Sequence, residues 1–264
     1  MAYNSDVILL RICRSSLGFC ATDELSDSGV KYEPYMANNN ISIAANLREA
    51  FKRSVLLSKH YNNATVLIDS RVMLLPADDF NKEDIDSLYR HGFGVNKGQE
   101  VIYSVVPQLS AVAVYAVDSD ILTVLNDHFS ELRTFPLTFP TWQILESKSY
   151  SATCRRLFAY FHDGMMEVSF YGTHRFKFYN TFIVKHINDA VYYLLSIWKQ
   201  LGFDQENDEL HIVGNISERE ELINQLCRYL RGVYLIRPKI DFNSNPITKN
   251  TSLPYDTMCY FINN

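Results

Sequence analysis

The sequence predicts an α/β protein made of two like domains, each with a mixed sheet flanked by helices. The main observation is a repeated order of elements, strand–strand–strand–helix–strand–helix–strand, which begins at Val7 and again at Arg156. The second observation is composition: 264 residues, 47% of them hydrophobic, are enough to bury a core in each half. We therefore expect a first domain over residues 1–150 and a second over 151–264 that ends in a C-terminal tail, with a cleft between the two.

The first domain is expected to open with three strands, a helix and a fourth strand. Gly18 lies in a turn between two apolar runs, which is a hairpin signal. Pro34 favours an edge position for the third strand, and Ser42 is placed to begin an amphipathic helix. In chain order the strands are Val7–Cys13, Phe19–Thr22 and Lys31–Met36 before the helix, and Thr65–Ile68 after it.

The remainder of the first domain is less regular. Ala111–Val117 is almost wholly apolar, as expected of a central strand buried on both faces. Asp118 or Ser119 is expected to cap the helix that follows it, and Phe135–Pro140 interrupts the pattern. The other predicted elements are strands at Arg71–Leu75 and Glu100–Val106 and helices at Glu83–Tyr89 and Trp142–Tyr150.

The second domain is expected to repeat the opening pattern. Asp163-Gly164 between two apolar runs is a strong hairpin signal. Ser217, with Glu220 three residues later, has the spacing of a helix-capping box. The predicted strands are Leu157–Phe161, Met166–Phe170, Arg175–Tyr179, Leu210–Val213 and Val233–Ile236, the helices are Ile187–Leu201 and Ser217–Leu230, and Leu253–Ile262 is a closing apolar patch.

Charge and composition exclude several classes of function. The chain has 25 Lys and Arg residues against 30 Asp and Glu residues, and it has no long basic run, so no nucleic-acid partner is expected. No segment has the ~20 apolar residues of a membrane span, so we expect no membrane insertion and a cytoplasmic location. Five cysteines at irregular spacings predict neither a zinc site nor a disulfide framework.

Five short motifs carry a likeness to a known family. They are Arg11–Phe19, Leu74–Pro76 before Phe80, Phe178–Phe182, Tyr192-Tyr193 with Lys199–Leu201, and His211–Asn215. Through them the chain resembles an uncharacterised Bacteroidetes domain-of-unknown-function family. The resemblance spans nearly the whole chain and implies the actin-like ATPase fold, a duplicated ribonuclease H-like fold shared by actin, heat-shock chaperones and sugar kinases.

The resemblance also implies where a nucleotide would bind. In active members of the fold an Asp ends the first strand of each domain, and glycine-containing hairpins approach the phosphates. The matching Asp positions fall on Arg11 and near Tyr160, and neither is a carboxylate. The adenosine loop keeps its first glycine, for which we expect a positive φ or a close backbone neighbour, and replaces its second by asparagine. The vestigial nucleotide-loop positions are Arg11, Ser15, Ser16, Gly18, Asp163, Gly164, Gly214 and Asn215.

These observations favour a degenerate actin-like ATPase fold that acts as a non-catalytic interaction or scaffold protein. No catalytic residue, metal ligand or cofactor is expected. A load of 17 Tyr and 16 Phe favours protein partners, since surplus aromatic residues mark interaction surfaces. The alternative is a nucleotide-binding protein or weak ATPase that uses the interdomain cleft with ATP and Mg²⁺, its acids drawn from Asp163, Asp118 or Asp120. A nucleic-acid enzyme of the ribonuclease H type is a third reading, which the lack of clustered strand carboxylates disfavours.

Overall fold

The computed structural model describes residues 7–150 and 153–263, which form two compact units. The first unit combines residues 7–140 with 245–263, and the second contains 141–150 and 153–244. The expected division at about residue 150, with the tail in the second domain, is therefore wrong in two respects. The second unit begins about ten residues earlier, and the tail belongs to the first unit, where the Tyr260 hydroxyl donates a 3.0 Å hydrogen bond to Thr65 Oγ1.

The described chain has thirteen strands and eight α-helices. The strands are β1 Val7–Ile12, β2 Ser16–Thr22, β3 Val30–Met36, β4 Asn63–Ile68, β5 Val72–Pro76, β6 Gln99–Val106, β7 Ala111–Asp118, β8 Glu131–Pro136, β9 Arg156–His162, β10 Met165–Gly172, β11 Arg175–Ile183, β12 Glu209–Gly214 and β13 Gly232–Leu235. The helices are α1 Ile43–Arg53, α2 Ile85–Phe93, α3 Ser119–Asn126, α4 Phe139–Tyr150, α5 Ile187–Gln200, α6 Arg219–Leu226, α7 Pro238–Asp241 and α8 Tyr255–Asn263.

The main sheet of the first unit has the order β3-β2-β1-β4-β8. The first three strands form an antiparallel meander, and β1, β4 and β8 run parallel. Pro34 lies in β3 at the edge of this sheet, as predicted, because proline cannot donate to a second neighbour. Ser42 caps α1 by accepting a hydrogen bond from the Ala45 amide, which confirms the predicted start of that helix.

A second, antiparallel sheet of three strands, β5-β7-β6, is inserted in the first unit between β4 and α3. Its central strand is β7, the apolar run that predicted burial on both faces, and all of its residues except Asp118 are buried. Helix α2 packs on this sheet through Ile85 and Tyr89. The insertion therefore forms a small layer of its own.

The sheet of the second unit has the order β11-β10-β9-β12-β13, with the same pattern of antiparallel and parallel pairs as the first. Leu157, Ala159 and Phe161 of β9 lie in one apolar core with Leu194 of α5 and Leu222 of α6. The two units thus share one topology, and the predicted duplication is confirmed at the level of the sheets.

Two local predictions were wrong. The segment Phe135–Pro140 was expected only to interrupt the pattern, but its first two residues belong to β8. The alternating exposed charges of β8 are typical of an edge strand. Helix α6 begins at Arg219 after Glu218, so Ser217 lies outside it and does not form the predicted capping box with Glu220. The predicted closing apolar patch is confirmed as a buried segment, and it forms the helix α8, which buries most of its residues.

Within the described residues, no helix is both long enough and apolar enough to span a bilayer.

Candidate functional site

The two strand positions that matter most for nucleotide chemistry are equivalent in the two units. Arg11 in β1 lies opposite Leu67 of β4, one residue before β4 ends, and Tyr160 in β9 lies opposite Val213, one residue before β12 ends. The neighbouring hairpins have equal lengths, since Ile12 pairs with Leu17 and Phe161 with Met166. The register therefore assigns Arg11 and Tyr160 to the same position of the repeated fold.

Arg11 forms a buried ion pair with Asp256 of α8. Its Nε donates to both carboxylate oxygens, at 3.1 Å to Oδ1 and 3.0 Å to Oδ2. Arg11 is 6% exposed and Asp256 is 0% exposed, and the Thr257 hydroxyl also donates to Oδ1. Because the cation and the anion neutralise each other out of contact with water, the guanidinium is committed to the protein itself. A phosphate would have to compete with Asp256 for it.

Tyr160 lies beside a buried polar network in the second unit. Its ring centroid is 5.0 Å from that of His162, and His162 Nε2 is 3.2 Å from Glu167 Oε1. The Tyr179 hydroxyl donates to the other oxygen of Glu167 at 2.5 Å. Glu167, on β10, therefore contacts both a histidine and a tyrosine.

The first hairpin has structural reasons for its small residues. The Cys13 amide donates to the Ser16 carbonyl at 2.9 Å and closes the turn, and the Ala37 amide donates to the Ser15 carbonyl. Gly18 lies under Tyr32, because a Cβ at this position would be 2.8 Å from the Tyr32 hydroxyl. Burial raises the pKa of Tyr32 to about 12, so this phenol stays neutral. Packing beneath a tyrosine accounts for Gly18 without a ligand.

The second hairpin turns at Asp163 and Gly164, which have φ values of +44° and +74°. A two-residue turn with both central residues in the left-handed region is the type I′ geometry that Asp-Gly favours, and the predicted hairpin is confirmed. Asp163 Oδ2 is 3.6 Å from His162 Nδ1, and the Asp163 side chain is mostly buried.

The predicted adenosine loop brings its backbone into close contact with the end of β9. Gly214 has φ +105°, and a Cβ on it would be 2.0 Å from the Phe161 carbonyl oxygen. The Asn215 amide donates to that same oxygen at 2.9 Å. Both expectations for Gly214, a positive φ and a close backbone neighbour, are confirmed. In the first unit the Asp69 amide makes the matching bond to Ile12, also at 2.9 Å.

The acids considered for an alternative metal site lie elsewhere. Asp118 and Asp120 flank the start of α3, and Asp118 Oδ1 accepts a 2.9 Å hydrogen bond from Gln99 Nε2. Among residues 7–150 and 153–263, no three His, Cys, Asp or Glu side chains come close enough to hold a metal ion together.

One residue of the candidate site was not predicted from the sequence. Asp256 pairs with a residue 245 positions away, so no local pattern identifies its partner. A signal was nevertheless present, because Asp256 is the one charged residue in the apolar segment Leu253–Ile262. A charge inside a run that is otherwise fit for burial calls for a buried partner of opposite sign.

Comparison with protein families shows which family the chain belongs to. The family described as "Protein of unknown function (DUF3822)" matches residues 4–233. The chain belongs to the DUF3822 family. The family resemblance stated from the sequence motifs is thereby confirmed.

Solved structures similar to this DUF3822 chain share its fold. A Bacteroides thetaiotaomicron protein with an actin-like ATPase fold and unknown function aligns with a TM-score of 0.81 at 24% identity, over 92% of this chain and 96% of the other. The PilM-PilN type IV pilus biogenesis complex contains a chain that aligns with a TM-score of 0.56 at 10% identity, over 89% of each chain. The DUF3822 chain therefore has the actin-like ATPase fold, as predicted. No curated protein sequence matches it.

Proposed function

We propose that this DUF3822 protein is a non-catalytic scaffold that has kept the actin-like fold and binds protein partners. The observation that carries the proposal is the Arg11–Asp256 ion pair at the strand position where, by resemblance, ATPases of the fold have an aspartate. Hydrolysis in this fold uses a hydrated Mg²⁺ held by carboxylates, because the metal neutralises charge as the γ-phosphate leaves. Arg11 stands at that position with its charge neutralised by Asp256, so it offers a metal no carboxylate. Tyr160 at the equivalent position offers no negative charge either.

Two observations support a protein partner. A protein of the same fold, PilM, was solved in complex with another protein, PilN. In the second unit, large aromatic side chains remain exposed, with Tyr192 68%, Tyr229 56% and Tyr234 49% accessible. Tyrosine is enriched at protein–protein interfaces because it joins an apolar ring to a hydrogen-bonding hydroxyl.

The alternative function, nucleotide binding with weak hydrolysis, is favoured by one feature. The Gly214-Asn215 turn keeps the close backbone approach that an adenosine loop needs. Its hydrogen bond to Phe161 also gives it a structural role, so the turn alone does not require a ligand.

Calorimetric titration with ATP, with and without Mg²⁺, separates the two functions. We expect no Mg²⁺-dependent binding and no phosphate release above that of heat-inactivated protein, since no carboxylate stands at either strand position. The matched double variant Arg11→Asp with Asp256→Asn places a carboxylate at the Arg11 position. Its ATP binding should become Mg²⁺-dependent if the missing carboxylate at this position is all that prevents the metal from binding. Tight Mg²⁺-dependent binding with phosphate release in the unmodified protein would overturn the proposal.

The size of the protein in solution tests the proposal that it binds a protein partner. Recovered from its native cells, the chain should elute from a sizing column with a second protein, well above its own 30.5 kDa. Elution as a lone monomer at native concentration would contradict a scaffold role.

A further inference from the structure

The sheet of the second unit has an open edge along β11. With nine residues, β11 is the longest strand in residues 7–150 and 153–263, and within that part of the chain it pairs only with β10. The edge strands β3, β5 and β8 each contain a proline, β13 has four residues, and the Ser104 hydroxyl ties β6 to β8. Since β11 contains no proline, its edge is a template on which another strand can add.

The register shows which backbone groups of β11 point outward. The Val184 amide donates to the Gly164 carbonyl at 2.9 Å, so the backbone of Val184 faces β10. Because this direction alternates along a strand, the amides and carbonyls of Thr181 and Ile183 point away from β10. The Thr181 amide agrees, since it donates at 2.8 Å to the exposed Asn180 side chain. An added strand therefore meets two successive outward-facing residues at this end of β11.

Aromatic rings flank this edge on the side of α5. Phe182 of β11 stacks on Tyr193 of α5, with ring centroids 4.6 Å apart, and Tyr192 contacts Tyr193 edge-on at 5.6 Å. Tyr192 is 68% exposed and Ile183 is 49% exposed. The three rings thus extend from the strand edge onto the exposed surface of α5. Apolar side chains of an added strand would cover these rings and be removed from water themselves.

The exposed charges along the edge are positive. Arg175 and Lys177 lie in β11, Lys185 follows it, and none of the three forms an ion pair with a residue that the structure describes. Asp189 comes next in the chain, but its carboxylate accepts hydrogen bonds from the amides of Lys185 and His186. An antiparallel pair of two copies centred on Thr181 would set Lys177 of one copy opposite Lys185 of the other. Like charges opposed in this way disfavour self-association, whereas an acidic strand would neutralise them.

We propose that β11 is the docking edge for an extended acidic segment of a protein partner, which adds as a sixth strand to the sheet of the second unit. The inference rests on the proposed scaffold function, since it names the surface and the chemistry of the partner. Strand addition takes its affinity from main-chain hydrogen bonds, here to Thr181 and Ile183, and its selectivity from side chains. Acidic side chains of the segment pair with Arg175 and Lys177, and apolar ones cover the ring of Tyr192.

Fluorescence anisotropy with a labelled synthetic peptide tests the chemistry of the partner. The probe is an octapeptide of alternating glutamate and valine, and its analogue has lysine in place of every glutamate. We expect saturable binding of the acidic peptide at least about tenfold tighter than that of the lysine analogue, because only the acidic peptide neutralises the edge. A short single-stranded DNA of the same net charge is measured in parallel. It should bind at least tenfold more weakly, since it has no peptide backbone to pair with β11.

Variants of the protein locate the binding. Lys177→Glu should weaken binding of the acidic peptide about tenfold, whereas Arg231→Glu, another exposed position of the second unit, is the matched control and should have little effect. Thr181→Pro removes an amide that points away from β10, so the melting temperature should hardly change while peptide binding falls about tenfold.

Four results would overturn the inference. They are absence of binding by the acidic peptide, equal binding of the lysine analogue or the DNA, equal effects of Lys177→Glu and Arg231→Glu, and unweakened binding by a folded Thr181→Pro variant. The sizing experiment on protein from native cells keeps the two proposals apart. If Lys177→Glu and Thr181→Pro still elute with the second protein, the scaffold function stands and β11 is not its interface. If the unmodified chain elutes alone, the scaffold function itself fails.

Discussion

Replacing Asp256 with alanine is expected to destabilise the first unit by about 3–5 kcal/mol, because it leaves the Arg11 guanidinium buried without its counter-charge. For a chain of this size each kcal/mol lowers the melting temperature by roughly 2–4 °C, so a fall on the order of 10 °C is expected. Both tryptophans, Trp142 and Trp198, lie in the second unit. Far-UV circular dichroism should therefore show the early loss of the first unit, while tryptophan fluorescence reports the second.

The double variant Arg11→Met with Asp256→Leu is the companion experiment. Replacing both members of a buried ion pair with apolar residues is often close to neutral, so most of the lost stability should return. Glu206→Gln, which breaks the exposed ion pair between Glu206 and Arg231, is the control and should leave the melting temperature nearly unchanged. If Asp256→Ala melts like Glu206→Gln, the buried pair does not hold α8 to β1.

Gly214→Ala is expected to cost about 3 kcal/mol in the stability of the second unit. The added Cβ would lie 2.0 Å from the Phe161 carbonyl oxygen, and φ +105° is already unfavourable for any L side chain. To relieve the overlap, β12 and β9 must separate where they join, which breaks the hydrogen bond from the Asn215 amide. Tryptophan fluorescence during urea unfolding measures the loss directly.

Gly202→Ala is the matched control for this substitution. Gly202 also has a positive φ, +63°, but a Cβ on it meets nothing within 4 Å. The control therefore carries the smaller strain of the left-handed helical region without the overlap, and the difference between the two variants measures the contact with Phe161 together with the added strain of φ +105°. Equal losses in the two variants would show that the close approach at Gly214 is unimportant.

Local patterns predicted most of the fold. The Asp163-Gly164 turn and the apolar alternation of β10 specify the second hairpin within a few residues, and the run of β7 specifies a central strand. The repeated order of such elements was sufficient to predict two like units. Strand β8 was not predicted, because charged residues and Pro136 are not typical of a parallel strand. It becomes part of the sheet only through its pairing with β4.

The candidate site was predictable where it depends on register. Arg11 and Tyr160 were found by counting along the hairpins, and Gly214 was found by its place between a strand and a helix. Asp256 could not be found in this way. Its pairing with Arg11 depends on a contact between segments that are far apart in the sequence, and a local sequence pattern does not show which distant segments come into contact.

The return of α8 to the first unit has a consequence for how the chain acquires its structure during synthesis. The second unit is one uninterrupted stretch, 141–244, whereas the first needs residues from both ends of the sequence. Domains generally fold in the order in which the ribosome releases them. Here that order is reversed, because the later unit has all its residues before the earlier one receives the helix that neutralises Arg11. Until α8 has been synthesised, the Arg11 side chain in the central strand of the nascent first unit has no Asp256 carboxylate to neutralise it.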